Sequence, residues 1–286
     1  MSLESEIKKR RTFAIISHPD AGKTTLTEKF LLYGGAINLA GSVKGKKTAK
    51  HAVSDWMEIE KERGISVTSS VLQFNYGGYC INILDTPGHQ DFSEDTYRTL
   101  MAADSAVMVI DASKGVEAQT RKLFKVCVMR HIPIFTFINK LDREAKDTFE
   151  LLDDIEKELG IATCPINWPI GSGKEFKGVY DRAKREVELF SDTKKGTAMG
   201  EVKMIPIDAP ETEELIGADA KDILADEIEL LDGAAAEFDQ ELVDKGQLSP
   251  VFFGSALTNF GVETFLKHFL KMTTSPLPRK SDHGEI

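Results

Sequence analysis

The chain has 286 residues, 41% of them hydrophobic, which is enough to bury a sizeable core, and its formal net charge is −10. No apolar run approaches the length of a membrane span, and the start, MSLESEIKKRR, lacks the apolar stretch of a signal peptide. Three well-separated cysteines without a CxxC pair argue against a disulfide or zinc framework and fit reduced thiols. We therefore expect a cytoplasmic protein that binds neither a membrane nor DNA.

A strand predicted near 12–17 leads into the loop SHPDAGKT and a helix predicted near 23–33. Such a loop is typical of a phosphate site, because its N–H groups and the positive helix end face an anion. Lys23 adds a charge, and the Thr24 hydroxyl can bind Mg²⁺. Ser17 stands where such loops usually carry glycine, so a merely solvated turn stays open here. The predicted phosphate-binding residues are Ser17, His18, Pro19, Asp20, Ala21, Gly22, Lys23, Thr24 and Thr25.

The stretch from about 35 to 66 has little periodicity and several Gly and Lys residues, which predicts a mobile switch segment. Its basic character comes from Lys44, Lys46, Lys47 and Lys50. A plain soluble loop and a contact with an RNA backbone explain these lysines equally well.

Strands predicted near 67–75 and 79–85 follow, and the second ends in Asp85 before a Thr-Pro-Gly turn. A carboxylate there can hold Mg²⁺ through water, and the Gly88 amide can reach a terminal phosphate because no side chain blocks it. An ordinary type II turn would explain the Thr-Pro-Gly string but not the acid at the strand end.

The sequence next predicts a helix near 92–102, a strand near 106–111 and a helix near 116–130. The strand predicted near 133–138 is followed directly by the string NKLD. Guanine presents two adjacent donors, which suit the carboxylate of Asp142. Asn139 would bind the base and tie the loops together, while the Lys140 stem covers a ring face. The position at a strand's carboxyl end, where doubly wound sheets bind ligands, predicts a guanine site.

After a helix near 147–159, the distance to Ser255 is too long for one helix and a loop, which predicts an inserted subdomain. Gly/Lys-rich turns near 171–178 and 194–200 precede a helical stretch near 211–245. Residues 201–250 hold 15 acidic and 3 basic side chains, so this surface should not lie against RNA. A solvated helical face is favoured over a protein-binding surface.

A strand is predicted near 251–254 and a helix near 261–271, with small residues between them. Because small side chains leave the backbone accessible, the amides of this loop can approach the guanine oxygen closely. The residues assigned to this last loop are Ser255, Ala256 and Leu257.

The alternation predicts an α/β fold: the doubly wound, mostly parallel sheet of a P-loop GTPase, with an inserted α+β subdomain. We expect a GTP-binding domain over 1–160 and 246–275, an insertion over 161–245, and a linker over 276–286.

Four strings carry a resemblance: SHPDAGKTT in the first loop, SDWMEIEKERGIS from Ser54 to Ser66, DTPGHQDFSEDTYRTL from Asp85 to Leu100, and PINWPIG from Pro165 to Gly171. They resemble the translational GTPases and, among them, the class II release factors. The resemblance implies hydrolysis of GTP to GDP and phosphate with Mg²⁺, on the ribosome in translation termination. It also implies contact with the codon-reading release factor through the ribosome, a monomer, and a barrel domain to which the linker over 276–286 leads.

The resemblance further implies roles for single residues. Asp20 to Thr24 would wrap the phosphates, with Lys23 among the catalytic residues and Asp20 also helping to hold a monovalent cation. Thr24, Ser66 and Asp85 would hold the metal. Gly88 would sense the γ-phosphate, and His89 would orient the attacking water. Pro19 and Ile65 occupy the positions of an apolar gate that screens that water.

Three rival functions stay open. A translocase of the elongation factor G kind shares the skeleton of motifs. A regulatory GTP-binding module without a ribosomal role and a small-molecule kinase use the same loop. Asp142 argues against an adenine-using kinase, and His89, in place of the glutamine common in signalling GTPases, favours the translational group.

Overall fold

Strands and helices alternate through most of the chain. The structure, a computed structural model, describes residues 2–37, 70–86, 94–190, 202–276, 280–281 and 284–285. The strands are β1 Arg10–Ser17, β2 Ser70–Tyr76, β3 Tyr79–Asp85, β4 Ser105–Asp111, β5 Ile134–Asn139, β6 Ala162–Pro165, β7 Asn167–Ile170, β8 Gly178–Asp181, β9 Glu186–Phe190, β10 Val202–Pro206, β11 Leu248–Phe253, β12 Lys280–Ser281 and β13 Gly284–Glu285. The helices are α1 Leu3–Lys9, α2 Lys23–Tyr33, α3 Glu94–Ala102, α4 Ala118–Met129, α5 Thr148–Leu159, α6 Pro210–Ile216, α7 Ala218–Ala234, α8 Gln240–Asp244 and α9 Val262–Met272, with a 3-10 turn at Gly173–Glu175.

The central sheet has seven strands in the order β2-β3-β1-β4-β5-β11-β6. All neighbouring pairs are parallel except β2 with β3, which form an antiparallel hairpin at one edge. Every residue of β4, β5 and β11 is buried. Uninterrupted burial is expected of parallel strands that are covered on both faces. The predicted mostly parallel, doubly wound sheet is thus confirmed.

Successive residues of each central strand enter different hydrophobic cores, because side chains alternate across a sheet. Phe13 and Ile15 of β1 pack on the face covered by α2 and α9, whereas Ala14 and Ile16 pack on the face covered by α4 and α5. On the first face, the Phe13 and Phe269 rings meet edge to face with centroids 4.7 Å apart. This double cover holds the ends of the central strands in fixed positions.

Local signals set both ends of helix α5. The Asp147 side chain accepts a hydrogen bond from the Glu150 N–H and so caps the start of α5. Gly160 ends the helix with φ 69, and its N–H bonds the Glu156 carbonyl. The predicted bounds of α2, α4, α5 and α9 all lie within two residues of the observed ones.

Two strands of the central sheet differ from expectation. β11 begins at Leu248, three residues before the predicted start, and β6 pairs with it in parallel at the sheet edge. The division into 1–160 with 246–275 and 161–245 stays a prediction. Because β6 belongs to the central sheet, we propose that the insertion begins after Pro165. The predicted turn near 194–200 and nearly all of 35–66 fall outside the described residues.

The insertion is a second sheet, antiparallel throughout in the order β10-β9-β8-β7, together with α6, α7 and α8. Trp168 of β7 is buried against Phe149 of α5 and Phe253 of β11, and its indole N–H donates to Glu227 at 2.8 Å. The Asn167 amide bonds both the N–H and the carbonyl of Phe253. The insertion is therefore attached through its first strand to the central sheet.

A buried polar seam joins the other side of the insertion to α9. Thr264 of α9 donates a hydrogen bond to the Glu188 carboxylate, and His268 contacts Asp181 at 3.1 Å. Burial, with the neighbouring Glu263 as a smaller cause, raises the pKa of Glu188 to about 7 despite the Thr264 bond. Burial would also raise the pKa of Asp181, but hydrogen bonds from His268 and Lys184 outweigh it and lower this pKa to about 2.

The raised pKa of Glu188 makes stability depend on pH. A folded-state pKa above the ordinary 4.5 means that the native state binds the proton more tightly, so native stability falls as pH rises from about 4.5 to about 7. Glu188→Gln keeps an acceptor for Thr264 and cannot ionise. We expect its free energy of unfolding, relative to the parent, to rise by up to about 3 kcal/mol between pH 5 and pH 8. Urea unfolding at both pH values measures this, with Glu186→Gln on the same strand as control. Parallel pH profiles for parent and Glu188→Gln would contradict it.

The cysteines are free thiols, with Cys127 and Cys164 buried and Cys80 half-buried. Burial raises the pKa of the Cys127 thiol to about 12. Among the helices of the described ranges, none combines the length and apolar character needed to cross a membrane.

Candidate nucleotide-binding site

The adjacent parallel strands β3, β1, β4, β5 and β11 end at one edge of the sheet, and the loops that follow β1, β4, β5 and β11 meet there. The last residues of the first four strands are Asp85, Ser17, Asp111 and Asn139, all buried. In the strand order, β1 lies between β3 and β4. The strands that follow β1 along the chain therefore lie on both sides of it. In doubly wound sheets a ligand crevice forms at such a reversal of strand order.

The loop from His18 to Gly22 turns sharply before α2. Asp20 has φ 67 and Gly22 has φ 102, both in the left-handed region that favours glycine. A Cβ atom at Gly22 would overlap the Asn139 side-chain nitrogen. The Gly22 carbonyl accepts the bond from the Leu26 N–H at 2.9 Å, so α2 starts directly at the loop. The first loop and the N-terminus of α2 therefore lie together at the carboxyl end of β1, where we expect an anion to bind.

Lys23, the first residue of α2, is buried with its ammonium group against β3. Its Nζ lies 2.7 Å from Asp85 Oδ1 and also donates to the Thr86 carbonyl. Thr86 in turn donates to the Ile15 carbonyl at 2.8 Å. The cation and the carboxylate predicted for the phosphates and the metal are thus side by side, on α2 and β3.

Asn139 connects three of these loops, those that follow β1, β5 and β11. Its Nδ2 donates to the Ala21 carbonyl at 2.9 Å, and its Oδ1 accepts from the Ala256 N–H at 2.8 Å. Both bonds are buried, where losing a partner is costly. The amide therefore holds the phosphate-type loop and the loop after β11 at fixed distances from the end of β5.

Asp142 lies in the same loop, with its side chain 16% exposed. Its Oδ1 accepts a hydrogen bond from the Ser255 hydroxyl at 2.6 Å, and the nearest cation to its Oδ2 is Arg143 at 3.9 Å. Ser255 and Ala256 are fully buried, while Leu257 is 37% exposed. A carboxylate oriented through one oxygen retains acceptor capacity on the other.

Asp111 was missed by the sequence analysis. Its Oδ2 lies 2.6 Å from Lys140 Nζ, which also donates to the Asp20 carbonyl. Burial would raise the pKa of Asp111, but hydrogen bonds from Lys140 and Ser113 outweigh it and leave this pKa below its ordinary value. The rule that singled out Asp85, an acid at the carboxyl end of an apolar strand, applies equally to Asp111 and could have found it.

His18 is half-buried, and its Nε2 lies 3.4 Å from Glu117 Oε1. Pro19, Thr24 and Thr25 are also half-buried at the start of α2. The structure thus brings together the predicted residues from Ser17 to Thr25 with Asp85, Asn139, Lys140, Asp142 and the loop 255–257. Ser66, Gly88 and His89 lie outside the described residues.

The described residues fit a guanine nucleotide with Mg²⁺. A position without Cβ at Gly22, a buried ammonium at Lys23 and the N-terminus of α2 match the needs of phosphates. The hydroxyl of Thr24 and the carboxylate of Asp85 are oxygen ligands of the type that Mg²⁺ prefers. Asp142 carries two acceptor oxygens, the kind of group that we predict for the guanine edge.

Gly22→Ala tests the close contact between the first loop and Asn139. We expect a loss of roughly 2–4 kcal/mol in the free energy of unfolding, because left-handed strain adds to overlap with a hydrogen-bonded amide. Guanine-nucleotide affinity should fall at least tenfold. The matched control is Gly35→Ala, which has φ 68 but no atom within 4 Å of the added methyl. Urea unfolding and titration with a fluorescent GDP measure both effects, and equal losses in the two variants would contradict the contact's role.

The comparison with protein families places this geometry in a known class. The elongation factor Tu GTP binding domain model matches residues 8–275, so the chain belongs to that family. Membership implies that the chain binds guanine nucleotides.

Within this family, the chain is most informatively compared with two relatives that carry the same name. The chain is 64% identical over 278 residues to the peptide chain release factor 3 of Symbiobacterium thermophilum, covering 97% of this chain and 53% of that protein. It is 58% identical over 284 residues to the peptide chain release factor 3 of a Cyanothece species, covering 99% and 52%. The chain therefore spans about half the length of the curated relatives it matches. The resemblance predicted from the motifs is confirmed.

A solved structure agrees with the fold. A crystal structure of a protein from Thermus thermophilus superposes with a TM-score of 0.73 at 27% identity, covering 93% of this chain and 40% of the other.

Proposed function

We propose that the chain is the nucleotide-binding part of a GTPase switch that acts on the ribosome in translation termination. There it would promote dissociation and recycling of the codon-reading release factor after peptide release. The observation that carries this proposal is the 58–64% identity to relatives named peptide chain release factor 3, across 97–99% of the chain. Those relatives are longer, so the proposal concerns the function of such a longer protein.

The proposed reaction transfers the γ-phosphoryl group of GTP to water. Positioning and charge, rather than a covalent intermediate, supply the catalysis in this class of reaction. We assign phosphate contact to Lys23 and to the loop N–H groups around Asp20. We assign base selection to Asp142, with Asn139 binding the base and tying the loops together. Gly88 would sense the γ-phosphate, and His89 would orient the attacking water.

Mg²⁺ would be held by Thr24, Ser66 and Asp85, and would neutralise charge on the phosphate oxygens. The ion pair of Lys23 with Asp85 supports this assignment, because it keeps a phosphate-binding cation and a metal-binding carboxylate within 2.7 Å. The Lys23 ammonium would turn from the Thr86 carbonyl toward phosphate oxygens while Asp85 stays oriented by β3. A monovalent cation near Asp20 is part of the same proposal.

The proposed partners are the ribosome and, through it, the codon-reading release factor, with the protein acting as a monomer. The surface of α6 and α7 is acidic and would repel RNA phosphates. We therefore propose that this part of the insertion faces away from ribosomal RNA.

Single-turnover GTP hydrolysis by the full-length protein tests the proposed function. Ribosomes carrying a termination complex with bound release factor should accelerate hydrolysis, and GTP should shorten the time that the release factor stays bound. Acceleration without any change in release-factor dissociation would favour the translocase alternative. GTP binding without ribosomal acceleration would favour a regulatory module instead.

A further inference from the structure

The carboxylate of Asp111 lies beside the candidate nucleotide site, and the proposed contacts with the nucleotide and with Mg²⁺ do not use it. Asp111 is the last residue of β4 and is buried. Its Oδ1 accepts two hydrogen bonds from Ser113, one from the backbone N–H at 3.0 Å and one from the hydroxyl at 2.7 Å. Its Oδ2 accepts the bond from Lys140 at 2.6 Å. Bonds to both oxygens therefore hold the side chain in one orientation.

The backbone around Asp111 is fixed as well. In the sheet Asp111 pairs with Asn139, the residue before Lys140. The Ala112 N–H donates to the Asn139 carbonyl at 2.9 Å, and the Asp111 carbonyl accepts from the Gly115 N–H at 2.9 Å. Because a buried central strand carries it, the carboxylate is a rigid counterion for the lysine that follows the neighbouring strand.

The ammonium group of Lys140 connects this carboxylate to the phosphate-type loop. Besides its contact with Asp111, Lys140 Nζ donates to the Asp20 carbonyl. Lys140 has φ 73 and Asp20 has φ 67, so both ends of this bond have a left-handed backbone, which residues with a side chain sparsely populate. Such backbone strain persists only where surrounding contacts hold it. The bond of Lys140 to the Asp20 carbonyl is one of these contacts.

This connection is charged, unlike the neighbouring one made by the Asn139 amide, so it needs a counterion. The Lys140 and Asp111 side chains are only 16% and 4% exposed. On α5, Lys157 and Asp153 form a pair with the same separation of 2.6 Å, but their side chains are 74% and 63% exposed. Water and salt screen such an exposed pair, so that it contributes little. Screening is much weaker for the pair at the nucleotide site.

We propose that Asp111 is a positioning residue, which holds the Lys140 ammonium on the Asp20 carbonyl and thereby sets how long a guanine nucleotide stays bound. The Lys140 stem is predicted to cover a face of the base, and Asp20 lies in the loop predicted to wrap the phosphates. Asp111 would thus connect the two halves of the site before a nucleotide arrives, which is preorganisation. Without this counterion the flexible lysine side chain can turn toward water. The inference rests on the proposed guanine-nucleotide site.

Dissociation of a fluorescent GDP, followed by stopped flow after mixing with excess unlabelled GDP, tests this role. Asp111→Asn keeps its oxygen for Ser113 only by turning its NH₂ group toward the Lys140 ammonium. We expect the dissociation rate constant to rise roughly tenfold or more and the association rate constant to change less than about twofold, since loss of a buried charge partner acts mainly on dissociation. An unchanged dissociation rate would overturn the proposal.

Ser113→Ala is the matched control for Asp111→Asn. It removes a hydrogen bond to the same carboxylate but leaves the contact with Lys140 in place. Its GDP dissociation rate should therefore stay within about twofold of the parent's. A rise as large as that of Asp111→Asn would show that the turn after β4, rather than the position of Lys140, controls dissociation, and the proposal would be wrong.

Lys140→Met separates positioning from a purely structural role of Asp111. Methionine keeps an unbranched stem but has no ammonium group, so this variant should itself speed GDP dissociation. Because the group to be positioned is then gone, adding Asp111→Asn should speed dissociation by less than about a further twofold. A second tenfold rise in the double variant would mean that Asp111 acts independently of Lys140, which contradicts the proposal.

A measurement on the parent chain needs no variant at Asp111. Magnetic resonance of isotope-labelled lysine ammonium groups reports how fast their protons exchange with water, and the Lys140 signal is identified by its loss in Lys140→Met. We expect exchange at Lys140 to be roughly tenfold or more slower than at the exposed Lys157, which has the same pair distance. Equal exchange at the two lysines would overturn the proposed positioning.

These experiments use neither ribosomes nor GTP hydrolysis, so failure of the termination function would leave their results unchanged. A parent chain that does not bind GDP would overturn the proposed guanine site and this inference together. A parent that binds GDP, with an Asp111→Asn variant that releases it at the parental rate, would overturn this inference alone.

Discussion

Asp142→Asn should weaken binding of GTP and GDP by roughly 2–4 kcal/mol, because an amide turns a donor toward the two donors of the guanine edge. The hydrogen bond between Ser255 and Asp142 supports this expected loss of affinity. Ser255 donates to Asp142 Oδ1 at 2.6 Å, so an asparagine that keeps this bond through its oxygen must present its NH₂ group to the base. Xanthine, which offers an acceptor at that position, should gain affinity. Competition between labelled GDP and unlabelled guanine or xanthine nucleotides measures the change.

Asp147→Asn is the matched control for this substitution. Asp147 caps α5 five residues further along the chain, and asparagine is an equally good cap. The control should therefore keep both stability and guanine preference. If Asp142→Asn binds GDP as tightly as the parent does, Asp142 is not the guanine selector.

His89→Ala should lower ribosome-stimulated hydrolysis in the full-length protein by roughly a hundredfold or more, as expected for loss of a group that orients the attacking water. Nothing in the binding half of the site needs an imidazole. Nucleotide affinity should therefore stay within about 1 kcal/mol of the parent, and slow intrinsic hydrolysis should barely change. Single-turnover hydrolysis with and without ribosomes separates these effects.

The control for His89 is His131→Asn. His131 follows α4 at the opposite edge of the sheet and has φ 54, a conformation that asparagine tolerates. It should leave all rates unchanged. If His89 only caps the helix that contains Glu94–Ala102, its loss would lower thermal stability without a selective kinetic effect. A His89→Ala protein with full ribosomal stimulation would contradict the water-orienting role.

The central sheet and most of its site loops could be predicted because their signals are local. β3 ends at Asp85 and β5 at Asn139, each within one residue of the predicted strand end, since the apolar runs stop where polar residues begin. The start of β11 was placed too late because Ser249 and Pro250 weaken a strand pattern. In the structure the Ser249 hydroxyl is hydrogen-bonded to the Thr136 hydroxyl on the neighbouring strand, with the two oxygens 2.8 Å apart.

The sheet of the insertion could be anticipated only as an α+β unit. β7 and β8 have four residues each, and charged residues at Asp181 and Glu188 face inward against the expected alternation. Their burial depends on His268 and Thr264, which are 87 and 76 residues away along the chain. No local pattern reveals that such distant partners will satisfy an inward carboxylate.

The double hydrogen bond of Asn139 has a consequence for how long a nucleotide stays bound. Because one buried amide holds both the loop at Ala21 and the loop at Ala256, the proposed base contacts and the proposed phosphate contacts would belong to a single preorganised body. We expect a nucleotide bound there to leave as a whole, so that its residence time is long and set by the slowest concerted opening. A factor that displaces only the loop at 255–257 would pull on Ala21 through Asn139. It would thereby hasten release of the phosphates without touching them.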